Sequence, residues 1–399
     1  MAPFPYGPNA THGGGVGAHT QMEVLALQHE IGVVCFRVPG GDEAAAEYLH
    51  RSTLFYEEMP LRLGLWRTLV ARCAGLVMAM PLEAVFYRNK AMENVIRSAV
   101  ARFRPDIVVI QFPQMAQYVK AVADVPCVMD VQDAFSVSSF RGFISAVGFI
   151  RKIEGFINWL FWVRYERRYY PRFARVFTVT EQDLTGLRIF SPDIVGASVG
   201  APVNIRSLPE NVIRNPFRIV FIGSFGHRPN VQGLQFFIEE VLPSIRHRIP
   251  EAQFVVAGKA PPSELLRFTS DHVQFVGFVP DVTTFLAECA VVVIPLLSGG
   301  GIKIKTLEAL ATGAPVVSTS IGVEGTGAVD EEHLLVRDKV SGFADAVVDL
   351  IRDPVRASKL GEAGKSLMRQ RFSPEAWGNR LDVLLASTCR EKLDLDVNK

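Results

Sequence analysis

Between Gly299 and Glu308 the chain reads Gly299-Gly300-Gly301-Ile302-Lys303-Ile304-Lys305-Thr306-Leu307-Glu308, so that three glycines, two lysines and a carboxylate follow one another closely. The spacing predicts a strand over Val291–Pro295, an open glycine loop, a helix over Lys303–Thr312 ended by Gly313, and a strand over Pro315–Ser318. A loop at a strand's C-terminal end that runs into a helix start offers unpaired N–H groups and a positive dipole to an anion. Lys303 and Lys305 add fixed positive charge in the first turn, where the macrodipole disfavours it, and a bound anion would compensate them. Glu308, one turn on, is an acceptor suited to a sugar diol. An anion cradle beside a diol acceptor is a site for a nucleotide carrying a diphosphate and a ribose. The plainer reading is an ordinary turn in which Lys305 pairs with Glu308 at i,i+3.

The elements that must hold this site alternate regularly. Strands are predicted at Arg218–Ile222, Gln253–Ala257 and Val273–Val276, with helices at Asn230–His247, Ser263–Phe268 and Asp281–Cys289. Short apolar runs at this spacing indicate a doubly wound parallel sheet covered on both faces. The first half repeats the grammar more loosely, with strands at Ile31–Phe36, Ile107–Gln111, Cys127–Asp130 and Val176–Val179. The fold class expected is α/β with two Rossmann-like domains and a catalytic cleft between them. The domains run 1–204 and 217–372, the turn-rich segment 205–216 links them, and a C-terminal helix with a polar tail over 373–399 packs back towards the first. The dozen residues before Gly13 are rich in proline and glycine and do not read as a buried strand, so the first domain lacks its first strand and the natural chain is expected to begin upstream of Met1.

Composition narrows the function. The chain has 399 residues and a formal net charge of +1, which gives no reason to expect a nucleic-acid partner. Its five cysteines are scattered, with no CxxC pair, which argues for a reducing cytosol and against structural zinc. No secretion leader is legible in Met1–Pro8, and no apolar run reaches the roughly 18 residues a spanning helix needs.

Two other motifs compete. Gly13-Gly14-Gly15-Val16-Gly17-Ala18 matches GxGxxA, but a dinucleotide loop needs a strand before it and an acid about 20 residues on, and Asp42 follows a Pro-Gly-Gly turn. His12-Gly13-Gly14-Gly15 with Gly196-Ala197-Ser198-Val199-Gly200 matches an esterase oxyanion loop and nucleophile elbow centred on Ser198. An elbow must run strand, turn, helix, and Ala201-Pro202-Val203 is no helix start. A metal–diphosphate DxD is missing from every loop: Asp394-Leu395-Asp396 lies in the tail, and Asp130 and Asp133 are spaced differently. Protein cations and N–H groups must then meet the diphosphate, with no metal and no cofactor required.

The second half resembles the retaining GT-B glycosyltransferases of family four, the group 1 glycosyl transferases. The likeness runs through Phe221-Ile222-Gly223-Ser224-Phe225, Arg228-Pro229-Asn230, Val256-Ala257-Gly258, Val276-Gly277-Phe278-Val279-Pro280-Asp281, the triple-glycine helix and Ser320-Ile321-Gly322-Val323-Glu324-Gly325. The first half is similar more weakly, through the Gly13–Gly15 loop, Asp130-Val131-Gln132-Asp133 and Val179-Thr180-Glu181-Gln182-Asp183. The resemblance implies transfer of a sugar, with retention, from a UDP or GDP sugar to a hydroxyl of a glycan or lipid-linked acceptor in cell-surface polysaccharide synthesis. It implies that Glu308 binds the ribose and that the main chain of Gly277, Phe278 and Val279 meets the base. Gly223, Gly299, Gly300, Gly301 and Ile302 line the donor, Lys303, Lys305 and Arg228 meet the diphosphate, and Gly14 and Gly15 close on it from the first domain. Asp130 and Asp133 are the candidates on the acceptor side. The sequence departs from the family twice: Gly300 stands eight residues before Glu308, where a glutamate is common, and no lysine stands near Gly233. A degenerate subunit that binds nucleotide without turnover is the alternative.

The stretch 140–175 mixes aromatics with eight bases (Arg141, Arg151, Lys152, Arg164, Arg167, Arg168, Arg172 and Arg175) against Glu154 and Glu166. Too short and too charged to span, it suits peripheral contact with an anionic cytoplasmic leaflet, reinforced by Leu61–Met80. The alternative is a packed helix with a solvated basic face.

Overall fold

A computed structural model describes residues 1–399 except 9–12, 39–42, 62–64, 123, 147, 204–211, 300 and 398–399. The chain divides into two compact units, Met1–Pro202 with Trp377–Lys399, and Val203–Ala376. Of the segment read as a linker, 205–211 fall outside the described residues. Its end belongs to the second unit, where Arg214 donates to the Gly313 carbonyl and the Asn215 amide to that of Glu288.

In the first unit the strands are β1 (Gly32–Arg37), β2 (Phe55–Pro60), β3 (Val108–Gln111), β4 (Cys127–Val131), β5 (Arg175–Thr178) and β6 (Gly196–Ser198). In the second they are β7 (Arg218–Ile222), β8 (Gln253–Ala257), β9 (Val273–Gly277), β10 (Val291–Ile294), β11 (Val316–Ser318) and β12 (Leu335–Val336).

The second unit is one parallel sheet in the order β12-β11-β10-β7-β8-β9. Its inner strands β7, β8 and β10 read as nearly unbroken apolar runs because both faces are covered, while the edge strand β9 leaves Gln274 and Val276 exposed. Alternate residues feed separate cores. Ile219, Phe221, Phe254, Val256, Val291 and Val293 pack on one face, and Val220, Val255, Val292 and Ile294 on the other with Leu307 and Leu310. The chain winds outward from β7 through β9, then returns to β10 on the other side of β7. Loops leaving β7 and β10 therefore diverge and open a crevice, the place where such sheets bind ligands.

Between β7 and β8 the sequence predicts one helix over Asn230–His247. The structure breaks it into Arg228–Phe236, a π turn over Phe237–Val241, and Leu242–Arg248. Pro243 is the cause, since it has no N–H to continue the ladder and its ring crowds the preceding turn. Close approach of the surrounding loops needs glycine. A Cβ on Gly233 would lie 2.6 Å from the Pro295 carbonyl oxygen, and one on Gly258 would lie 2.2 Å from that of Gly223.

The first unit has a four-stranded parallel sheet, β3-β4-β5-β6, and a parallel pair, β1-β2. Met1 and Ala2 stand between them. Ala2 bridges Cys35 and donates from its amide to Val34 O at 3.0 Å; the Met1 ammonium donates to Val109 O at 2.6 Å, and Met1 O accepts from Gln111 N at 2.8 Å. The residues before Gly13 thus form no strand, as the sequence predicts, but Met1 and Ala2 bridge β3 and β1 through these bonds, and the order around them reverses as in the second unit. The Gly13–Gly15 segment, read as a loop, is the first turn of the helix Gly13–Ala26. Burial of Ala18, Met22 and Val24 on that helix overrides the low helix propensity of its glycines. The helix Pro374–Val397 lays Trp377, Leu381 and Leu385 against Val128, Phe177 and Val199, and Glu391 accepts from Arg175 at 2.7 Å.

Two glycine substitutions separate close packing from open helix. Gly258→Ala drives a methyl into backbone and should cost about 1–3 kcal/mol. Gly142→Ala, which meets nothing within 4 Å in the helix Phe135–Ser145, should be neutral or stabilise by up to about 1 kcal/mol. Thermal unfolding of both variants checks the order, and equal melting temperatures would contradict it.

Candidate functional site

The loop after β10 bends through two left-handed glycines, Gly299 at φ 122° and Gly301 at φ 65°, and enters the helix Ile304–Ala311. Gly300 lies outside the described residues. The Thr306 and Leu307 amides turn back to the Lys303 carbonyl at 2.8 and 3.2 Å, and among the described residues the amides of Ile304 and Lys305 at the helix start have no acceptor. Ile302 is half-buried beside Lys303.

The two lysines have different partners. Lys303 is buried, donates from Nζ to the Gly301 carbonyl at 2.6 Å and lies 3.5 Å from Glu324 Oε2, so it braces its own loop. Lys305 reaches across the crevice to the first turn of the helix Arg228–Phe236 and donates to Asn230 Oδ1. Buried Asn230 is itself fixed, donating from Nδ2 to the Ser224 carbonyl at 2.7 Å. The ammonium stands 4.8 Å from the centre of the Phe221 ring. A Cβ on Gly223 would crowd this bond, lying 2.9 Å from Asn230 Nδ2 and 3.1 Å from Lys305 Nζ.

Glu308 follows one turn later. Among the described residues its carboxylate accepts no hydrogen bond and no ion pair joins it to Lys305, which leaves the plainer i,i+3 pairing unmade. Burial pushes Glu308 up to about 7, only partly offset by Lys305. Burial pushes Lys305 down to about 7, reinforced by Lys303 and opposed by Glu308. His227, at the head of the Arg228 helix, is lowered by burial and then by Lys305 and Lys303. Arg228 is exposed at that helix start and makes no side-chain bond among the described residues. The site therefore holds an acid and a base that lack the partners their charged forms need.

The edge leading away from it is built from backbone. Gly223 N donates to Ala257 O at 3.1 Å and Gly258 N to Gly277 O at 2.8 Å, which aligns the ends of β7, β8 and β9. Gly277 is left-handed at φ 73°, and the chain then exposes Phe278, whose ring centre lies 4.4 Å from Lys259 Nζ, before half-buried Val279. Asn230 and Lys259 were given no role by the sequence. Asn230 stood in the Arg228-Pro229-Asn230 match, and its place in that match was its only signal.

In the first unit Gly14 is half-buried and Gly15 buried in the first turn of their helix. Asp130, at the end of β4, is buried, with Oδ2 accepting from Gln132 Nε2 at 2.7 Å and Oδ1 unpartnered. Burial raises it to about 6, and the amides of Gln132, Gln111 and Gln21 offset this only in part. Asp133 lies half-buried in the loop beyond. Ser198 is in β6 and donates to the Val179 carbonyl at 3.2 Å. The depression beside it is lined by Glu181, Arg188 and Arg380 and by no histidine, so a strand stands where an esterase elbow would need a strand–helix turn.

Comparison with known proteins decides the family. Residues 216–353 match the model of the glycosyl transferases group 1, and residues 13–192 match a glycosyl transferase 4-like domain. This chain belongs to the group 1 glycosyltransferases. Among curated relatives of this glycosyltransferase, a GDP-mannose-dependent phosphatidylinositol monomannoside mannosyltransferase of Mycolicibacterium smegmatis is 31% identical over 38% of this chain and 44% of its own length. An uncharacterized protein in the cps region of Klebsiella pneumoniae is 28% identical over 33% of this chain and 36% of its own. The matches thus span about a third to a half of these relatives. The solved sucrose-phosphate synthase of Thermosynechococcus elongatus superposes with a TM-score of 0.69 at 14% identity, covering 97% of this chain and 98% of that one. Anabaena HepE in complex with UDP and glucose gives 0.65 at 14%, covering 97% and 99%. The fold is GT-B, two Rossmann-like units in one chain.

The shifted pair has a consequence for stability. Glu308 holds its proton more tightly folded than unfolded between about 4.5 and about 7, so its contribution falls as pH rises through that window. Lys305 holds its proton less tightly folded between about 7 and about 10.5, so its contribution recovers as pH rises through that one. Relative to a Lys305→Met/Glu308→Gln variant, the ligand-free protein should be least stable near pH 7. Melting temperatures from pH 5 to 9 check this, and a pH-independent difference between the two proteins would contradict it.

Proposed function

We propose that this glycosyltransferase moves a sugar from a UDP or GDP sugar to a hydroxyl of a glycan or lipid-linked acceptor, with retention and without an obligatory metal. The unpartnered Glu308 carboxylate, one turn from an ammonium aimed across the sheet reversal by Asn230, carries this reading. A ribose diol satisfies both oxygens of Glu308. A diphosphate gives Lys305 the counter-charge it lacks, with the amides at the start of the Ile304 helix and the exposed Arg228 in support. The exposed Phe278 and the Gly277–Val279 main chain receive the base. Relatives named as GDP-mannose-dependent phosphatidylinositol monomannoside mannosyltransferases and a lipopolysaccharide core mannosyltransferase support a mannose-type donor and a glycolipid or surface-polysaccharide acceptor.

In the reaction the bond between the sugar's anomeric carbon and the β-phosphate oxygen breaks, and the acceptor oxygen bonds to that carbon on the same face. The acceptor's proton passes to the departing diphosphate. The protein's task is to stabilise the charge that develops on that diphosphate and to hold the acceptor in place. Lys305 acts directly on the leaving group, and Lys303 keeps the glycine loop in position through Gly301 and Glu324.

Glu308→Gln should lower donor use about ten- to a hundredfold, the value of one charge-assisted hydrogen-bond pair. Lys305→Ala should cost about a hundredfold in turnover, while EDTA should have no effect. Acceptor-free hydrolysis of UDP and GDP sugars, run beside nucleotide titration, measures all three. Nucleotide binding without turnover of any donor would mark a degenerate binding subunit instead, and strict dependence on a divalent ion would contradict the metal-free assignment.

A further inference from the structure

The helices Phe135–Ser145 and Phe149–Tyr169 form a hairpin in the first unit with three distinct zones. At its base Trp162, Tyr165 and Tyr169 are buried in the unit's core, so the basic stretch 140–175 is not a single surface segment. In the middle the rings of Phe140, Phe143, Phe156 and Trp159 pack on one another with centres 5.3–6.5 Å apart, and Gly155 allows the Phe143 backbone to approach. These rings clip the two helices together. At the tip Ile144, Phe149, Ile150 and Ile153 are 61, 80, 73 and 44% exposed. Among the described residues, seven of the 25 exposed large hydrophobics lie between Phe140 and Leu160, a concentration that scattered surface residues do not produce.

Charge selects what covers them. Arg141, Arg151 and Lys152 are exposed beside the tip, and Arg151 and Lys152 make no side-chain bond among the described residues. Glu154 is the single acid between Phe140 and Leu160. A second copy of this chain would bring the same bases face to face, and like charges at a contact are unfavourable. An anionic lipid surface meets both demands, taking apolar side chains below the headgroups and bases among the phosphates. No helix of the described residues is long and apolar enough to cross a bilayer, which limits the contact to the interface.

We infer that the hairpin tip docks on an anionic lipid surface, with Ile144, Phe149 and Ile150 entering the headgroup–acyl boundary and Arg141, Arg151 and Lys152 meeting lipid phosphates. Mixed aromatics and bases flagged the region in the sequence. The fold restricts the contact to the tip and withdraws Trp162, Tyr165 and Tyr169 into the core. This inference stands apart from the transfer reading, because it uses none of the second unit's residues.

Flotation of the full chain with phosphatidylcholine vesicles, with and without phosphatidylglycerol, tests it. Binding should require phosphatidylglycerol and fall as salt is raised, since such attraction is screened. Arg151→Glu/Lys152→Glu should lower the partition coefficient about tenfold or more, and Phe149→Ser/Ile150→Ser should lower it comparably. Both variants should keep the parent's melting temperature, because the altered side chains are exposed. Equal recovery with neutral vesicles, or no recovery at low salt by folded protein, would overturn the inference. So would an oligomer that Phe149→Ser/Ile150→Ser converts to monomer. Nucleotide titration of the same variants keeps the two readings separate, since a failed donor site leaves flotation unchanged.

Discussion

The hydrogen bond from Lys305 to Asn230 is the interaction on which the second unit's site depends. It joins two elements that leave the sheet on opposite sides of its reversal, and it holds an ammonium where burial disfavours the charged form. Ions withdrawn from water without a charged partner are costly, and such groups drift towards neutrality. Glu308 sits one turn away with the opposite sign and the same problem, yet the helix geometry leaves the two unpaired. Much of the surrounding structure serves this arrangement. Gly223 leaves room for both ends of the bond, Gly233 lets the Asn230 helix press against the loop after β10, and Gly258 lets the β7 and β8 loops meet. A ligand carrying a diphosphate and a diol resolves both deficits at once.

The two units solve the same problem of placement. Each reverses its winding, beside the strand β7 in one and beside the bridge that Met1 and Ala2 make in the other. Each gathers polar side chains at strand ends near that reversal. In the first unit these are Asp130 with Gln21, Gln111 and Gln132, an acid whose burial is offset in part by those amides and by the Met1 ammonium.

How much of this could be read in advance follows from how local each feature is. Strands β7, β8 and β10 announce themselves as apolar runs because both faces are covered, and the sequence placed them to within a residue. Edge strands hid: β2 carries Glu57 and Glu58, and β6 is a three-residue Gly-Ala-Ser segment that imitated a nucleophile elbow. In the site, the glycine loop, Lys305 and Glu308 were legible because their spacing within one turn has a chemical meaning. Asn230 was not, since its bond partner lies 75 residues away and nothing local demands it. Spacing also treated Lys303 and Lys305 alike. Only the fold shows that the first is buried against its own loop and Glu324 while the second crosses the sheet.

The central claim is that Lys305 waits, largely uncharged at mildly alkaline pH, for the diphosphate of a nucleotide. Calorimetric titration of UDP and GDP at pH 8, repeated in buffers of different ionisation enthalpy, measures the protons exchanged on binding. With Lys305 held near 7 in the free protein, binding of the correct nucleotide should take up close to one proton. Lys305→Met should bind more weakly with no uptake. Tight binding of either nucleotide with no proton taken up, or with protons released, would contradict the account.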